Sequence, residues 1–193
     1  MKRYPDEEEC MRLLQEYGTP AHVIGHCRAV ADVAVNTGRR LNEVGFDLDI
    51  GLVRAAGLLH DIARVEKDHA KVAADYIREL GYPEVADIVA VHMFYPGFSP
   101  AEKTNETDLV CLGDRTVRED QYVGAEERME YIKDKARRNA GDALPEVLAR
   151  LEVKKKELKE YVARLEELMG VTLDELNGKT GNDRAPREAA QKS

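Results

Sequence analysis

Gly51-Leu52-Val53-Arg54-Ala55-Ala56-Gly57-Leu58-Leu59-His60-Asp61 is the most apolar run of the chain, and it closes on a histidine followed at once by an aspartate. With Asp47 or Asp49 as an N-cap, the run reads as a helix that folding buries. Two strong metal-ligating groups are carried inward with it. A charged carboxylate does not go there alone, because isolated burial costs several kcal/mol or more. The simplest partner for an imidazole beside a carboxylate is a divalent cation.

Working outward, the punctuation is that of helices. Asp6 caps a first short helix that stops at Gly18. Thr19-Pro20 supplies a capping hydroxyl and then Pro at a first helical position. The helix it opens carries Val23, Val30, Ala31, Val33 and Ala34 and is expected to end near Gly38. Past the charged stretch Arg64 to Lys67, a helix is expected from about Asp68 to Leu80. Another starts at Tyr82-Pro83 and runs to about His92. Residues 93–104 hold two prolines and a glycine, which forbid a continuous helix. Their aromatics, Phe94, Tyr95 and Phe98, read either as a loop packed by its own rings or as a rim that touches an organic group. A helix with Leu109, Val110 and Leu112 then delivers Asp114-Arg115.

Toward the C-terminus the pattern changes. A helix is expected over Ala125 to Asn139. Leu144, Leu148, Leu151, Leu158, Val162, Leu165 and Met169 alternate at spacings of four and three, interrupted at Lys155, which is a heptad seam. It is expected to pack on the domain, to pair with a helix such as Ala125 to Asn139, or to join two subunits as a homodimer. Lys154-Lys155-Lys156 and Arg137-Arg138 read as solvated faces. Thr172 and Glu175 form a capping box for a short helix. From 178 to 193 large apolar residues all but vanish, and a disordered tail is expected.

The totals fit an all-α protein. Of 193 residues, 43% are hydrophobic and 34% charged, with no Trp, which disfavours an all-β sandwich. The net charge of −8 disfavours a stable nucleic-acid complex or an anionic-membrane surface. No run approaches a membrane span, and the acidic start predicts no signal peptide. Cys10, Cys27 and Cys111 fit neither a disulfide framework nor a zinc ribbon. A cytoplasmic location is expected.

Ionisable residues recur on the core-facing sides of these helices. His26 shares a face with Val30 and Ala34. His60 and Asp61 end the apolar helix, His92 follows Ile88 and Val89, and Asp114 follows Leu109 and Leu112. Neighbouring helical residues point about 100° apart, so His60 and Asp61 grip one ion only with help from other helices. His26 and Asp114 are the natural suppliers. Two imidazoles and two carboxylates suit Mn, Fe, Co, Ni or Mg better than a closed structural zinc site. His22 reads as a surface residue, or as one that supports a ligand from behind.

His26-x-x-x-Val30-x-x-x-Ala34, Ala56-Gly57-Leu58-Leu59-His60-Asp61-Ile62-Ala63-Arg64, His69, a helix ending in His92, and Leu109-Val110-Cys111-Leu112-Gly113-Asp114-Arg115 together resemble an HD-domain phosphohydrolase, over about residues 19 to 117. The resemblance implies an HD-domain-like helical bundle, here with a long C-terminal heptad-patterned helix. It implies a metal held by His26, His60, Asp61 and Asp114. It further implies that His69 and His92 ligate a second metal, with Asp61 bridging. Gly81-Tyr82-Pro83 falls between helices, away from the Gly-Tyr-Pro signature of the family's cyclic-di-GMP phosphodiesterases. The expected organisation is an N-terminal helix (1–18), a catalytic domain (19–140), a helical extension (141–177) and the tail (178–193).

The chemistry expected is cleavage of a phosphoester or phosphoanhydride of a nucleotide or related small molecule, by water activated on one or two divalent ions. Asp61 orients or bridges the ions. Arg64, Lys67, Lys103 and Arg115, with Arg118 beyond them, are candidate cations for a phosphorylated substrate. Phe94, Tyr95 and Phe98 are candidates to stack on a base. His69 is a general acid if one metal binds. Two other classes share the ligands: a di-iron oxygenase, and a non-catalytic module that binds metal and nucleotide.

Overall fold

The computed structural model describes residues 3–179. The chain is all-α, with one two-stranded hairpin. In chain order the helices are α1 (Glu7–Tyr17), α2 (Ala21–Glu43), α3 (Ile50–Leu59), α4 (His69–Glu79), α5 (Pro83–Val91) and α6 (Glu106–Asp114). The hairpin β1 (Val117–Arg118) and β2 (Gln121–Tyr122) follows, then α7 (Gly124–Asn139), α8 (Leu144–Met169) and α9 (Leu173–Leu176).

Side-chain caps fix the starts of α1, α3, α6 and α9. Asp6 accepts from Glu9 N and Gly18 closes α1 in the left-handed region at φ 83°. Asp49, rather than Asp47, caps α3 by accepting from Gly51 and Leu52 N. Asn105 and Asp108 form a capping box on α6, and Thr172 and Glu175 form another on α9. Two expectations fail. Thr19 does not cap α2; its buried hydroxyl donates to Ile62 O at 2.7 Å, tying the start of α2 to the turn just past Asp61. Nor does α2 stop at Gly38. The residue is buried inside the helix, which continues so that Leu41 can enter the core.

Two apolar clusters hold the fold. Cys10, Leu14, Leu59, Ile62, Ile77, Val85 and Val89 join α1, α3, α4 and α5. Leu41, Leu109, Leu112, Met129, Leu158, Leu165, Met169 and Leu173 join α2, α6, α7, α8 and α9. Each such leucine contributes roughly 1.5–3 kcal/mol by leaving water. The helices that carry the site cross closely. A Cβ at Gly57 of α3 would lie 2.8 Å from the Cα of Ala31, and one at Gly113 of α6 would lie 2.7 Å from Val30 O. Two glycines thus let α3 and α6 lie close against α2 about one turn past His26.

The C-terminal half of the heptad seam, Leu158, Leu165 and Met169, is buried within the chain, joined by Tyr161. Its interruption is answered from α7. Lys155 pairs with Glu130 at 2.7 Å and with Glu126, so it is not the solvated lysine expected. Beside it Lys133, only 3% exposed, pairs with Glu130 and Glu152. The loop aromatics also divide. Tyr95 donates to Asp108, and Phe98 stacks on Tyr161 with centroids 4.2 Å apart, so both serve the fold rather than a ligand. Phe94 is 85% exposed. All three cysteines are free and buried. No described helix is long and apolar enough to cross a membrane. The expected tail falls almost wholly on residues 180–193, outside the described residues. Of it only Gly178 and Lys179 are seen, and Lys179 donates to Val123 O.

Candidate metal centre

Five elements converge on one interior point. α2 brings His26, the turn after α3 brings His60 and Asp61, α4 opens on His69, α5 runs into His92, and α6 ends on Asp114. Two triads result: His26, His60 and Asp114, and Asp61, His69 and His92, each with ligand atoms within 4.8 Å of one another. Asp61 lies between them. Its Oδ2 is 3.6 Å from His60 Nε2, while Oδ1 is 3.3 Å from His69 Nε2 and 3.4 Å from His92 Nε2. His26 Nε2 is 3.3 Å from Asp114 Oδ1.

The backbone fixes which ring nitrogen faces inward. Nδ1 of His26 meets Glu119 O at 2.8 Å, Nδ1 of His60 meets Gly57 O at 2.8 Å, and Nδ1 of His92 meets Val89 O at 2.7 Å. A carbonyl oxygen only accepts, so each Nδ1 carries the proton and donates. In the neutral ring Nε2 is then a bare lone pair aimed into the site, the tautomer that ligates metals. His60 is pushed down to about 4, chiefly because it is buried, so it is neutral around pH 7.

The carboxylates make the converse case. Burial alone would raise the pKa of Asp61, but His60, His69, His92 and Arg64 hold it well below the usual range. Burial likewise opposes the charge of Asp114, and His26, His60, Arg115 and Arg128 hold it low. His26 is raised: burial, the largest single influence, works against its charge, and Asp114, the Glu119 carbonyl and Asp61 together outweigh it. With Nδ1 donating to a carbonyl, the neutral form of His26, His60 or His92 presents Nε2 as an acceptor, as an ionised carboxylate presents its oxygens. His60 Nε2, Asp61 Oδ1 and His92 Nε2 are buried with no hydrogen-bond partner. Acceptors packed against acceptors are costly unless something positive joins them, and a divalent cation fits this donor set.

Cations flank the site unevenly. Arg64 Nη1 reaches His69 Nε2 at 3.1 Å and lies 3.6 Å from Asp61 Oδ1, with the side chain 39% exposed. Arg115 is turned the other way. It donates to Cys111 O and His92 O and lies over the Tyr95 ring, bracing the turn that carries His92. Lys67 and Lys103 are exposed, and among the described residues neither makes a hydrogen bond or ion pair with the six ligand candidates. His22 is exposed. Two participants escaped the sequence reading. The Glu119 carbonyl, which orients His26, belongs to a hairpin turn too short to leave a periodic signal. Arg128 of α7 donates from Nε to Asp114 O at 3.2 Å and holds Nη2 3.7 Å from Asp114 Oδ1.

A family model described as HD domain matches residues 23–119. A tRNA (cytidine(56)-2'-O)-methyltransferase of Thermoplasma volcanium is 38% identical over 97 residues, which are 48% of this chain and 27% of that protein. An uncharacterised protein of Methanocaldococcus jannaschii is 34% identical over 84 residues, 42% of this chain and 50% of that one. The chain thus spans about a quarter and about half of the lengths of these relatives. No solved structure matches it.

Proposed function

We propose that this chain, which belongs to the HD domain family, is a metal-dependent phosphohydrolase acting on a phosphoester or phosphoanhydride of a nucleotide or related small molecule. The reading is carried by one observation: three buried atoms, His60 Nε2, Asp61 Oδ1 and His92 Nε2, have no hydrogen-bond partner among the described residues. His26, His60 and Asp114 would hold one divalent ion and His69 and His92 a second, with Asp61 serving both.

When bound, such ions supply Lewis acidity and lower the pKa of water. The chain's own groups do the rest. The Gly57, Val89 and Glu119 carbonyls hold three imidazoles in the ligating tautomer. Arg64, on the exposed side of the second triad, swings from His69 to a substrate phosphate oxygen, for which a guanidinium is well shaped. It is favoured over Lys67 and Lys103, which touch none of the ligand candidates. If one ion binds, His69 is the imidazole placed to pass a proton to the leaving oxygen. Phe94 is the loop aromatic still open to an organic group.

The test is metal analysis of the purified chain, then a phosphate-release screen across nucleotides with Mn or Co under anaerobic conditions. Wild type is expected to turn over and Asp61→Ala to fall to background. Equal turnover by both overturns the proposal, and turnover that appears only when oxygen is admitted and consumed replaces it by an oxygenase.

A further inference from the structure

Arg128 lies outside the matched portion of the chain, on a helix the sequence reading gave no role in the site. Its side chain is only 17% exposed. A guanidinium offers five N–H donors, yet among the described residues Arg128 makes a single hydrogen bond, from Nε to Asp114 O. Its Nη2 stands 3.7 Å from Asp114 Oδ1, beyond hydrogen-bond reach, and its Cζ lies 5.6 Å from the centroid of Tyr131. Arg118 of the hairpin sits over the same ring at 4.7 Å.

This placement works against the retention of a cation. Asp114 Oδ1 faces His26 Nε2 and belongs to the first triad. A fixed positive charge beside a ligand oxygen repels a metal at that triad. Beyond Nε, the guanidinium nitrogens have no hydrogen-bond acceptor on the protein among the described residues and are free to take a ligand's oxygens. The repulsion vanishes if an oxyanion lies across the triad, between cation and guanidinium. A tetrahedral phosphate suits the planar fork, which can give it two parallel N–H donors.

We propose that Arg128 is a substrate-binding residue that anchors a phosphoryl group over the His26, His60 and Asp114 triad, opposite Arg64 at the other triad. The inference rests on the metal reading given above and adds to it the place of one phosphate. It assigns α7 a direct part in the site, and it favours substrates with a terminal phosphoryl group carrying free oxygens over fully esterified ones.

The test uses the full chain, with Mn(II) and inorganic phosphate as probes in titration calorimetry, on wild type, Arg128→Met and Arg128→Lys. Losing a charge-assisted pair is expected to weaken phosphate binding to the Mn-loaded protein by about 10- to 100-fold in Arg128→Met. Arg128→Lys, which keeps the charge and loses the fork, is expected to fall between. Mn(II) itself is expected to bind Arg128→Met at least as tightly as wild type, because the repelling charge is gone. A brace that merely holds α7 to α6 would give the opposite, with Mn(II) and phosphate weakened together, and that result overturns the proposal. Unchanged phosphate binding in a Mn-loaded variant also overturns it and leaves the metal reading intact. No Mn(II) uptake by wild type sinks the metal reading first. If Arg128→Met does not fold, Arg128→Lys decides: phosphate bound as tightly as by wild type refutes the fork.

Discussion

His26 Nδ1 lies 2.8 Å from the carbonyl oxygen of Glu119, a residue held in the left-handed region at φ 55°. One strained turn residue, far away in sequence, therefore sets which nitrogen His26 shows to Asp114. A side chain in that region costs about 1–2 kcal/mol, and the hairpin of β1 and β2 holds it there. Glu119→Gly is expected to keep metal affinity and to change stability by less than about 1 kcal/mol. Glu119→Pro, whose ring cannot reach positive φ, is expected to weaken Mn(II) binding while α3 to α5 stay folded. Calorimetry and thermal melts check both; full affinity in the proline variant would show that the turn does not orient His26.

Asp61 separates the cost of the site from its use. Asp61→Asn places an N–H donor opposite the lone pairs of His69 and His92. In chelator its melting temperature is expected to equal or exceed that of wild type, since relieving an unsatisfied buried acceptor is worth about 1–3 kcal/mol. Added Mn(II) is expected to raise the melting temperature of wild type alone, by an amount that grows with the logarithm of metal concentration. Equal stabilisation of both proteins would remove Asp61 from the site.

Gly57→Ala tests the close crossing of α3 on α2. The new Cβ meets the Cα of Ala31, which is main chain and cannot rotate away. A loss of about 1–3 kcal/mol is expected from overpacking, together with weaker metal binding as His60 is pushed from His26. A variant as stable as wild type in denaturant would show that the helices part without strain.

Acid is expected to loosen α7 from α8. Glu130 is pushed down to about 2 by hydrogen bonds from Lys155 and then Lys133. A carboxylate lowered on folding contributes stability above its ordinary value of 4.5 and loses it as pH falls toward 2. Glu130→Gln is therefore expected to flatten the pH dependence of stability in that window. Parallel wild-type and variant curves between the ordinary value of 4.5 and about 2 would count against it.

What the sequence made legible was whatever obeyed helical periodicity. His26 shares a face with Val30, and His60 and Asp114 close the apolar helices that carry Leu59 and Leu112, so burial of those helices, with the family resemblance, brought them inward. Gly38 misled because a buried helical glycine looks like a stop when its neighbours are unseen. Thr19 misled because a threonine before a proline fits a cap, and only the folded turn at Ile62 offers its hydroxyl a buried carbonyl. Lys155 looked solvated because its partners, Glu126 and Glu130, lie on another helix. Arg128 and Glu119 could not be found this way. The first depends on the angle at which α7 docks, and the second on a backbone oxygen.

The hairpin is itself held from behind. Tyr122 donates to Asp174 at 2.9 Å, and Lys179 reaches Val123 O. Shortening the protein just past Arg118, where the ligand-bearing helices have all been made, would remove Glu119 and β2 together with that buttress and uncover the apolar flank of Leu109 and Leu112. A piece of the chain that keeps the site is therefore expected to need α7 to α9 and Lys179 as well, so part of what keeps a histidine near the beginning of the chain aimed correctly is synthesised late.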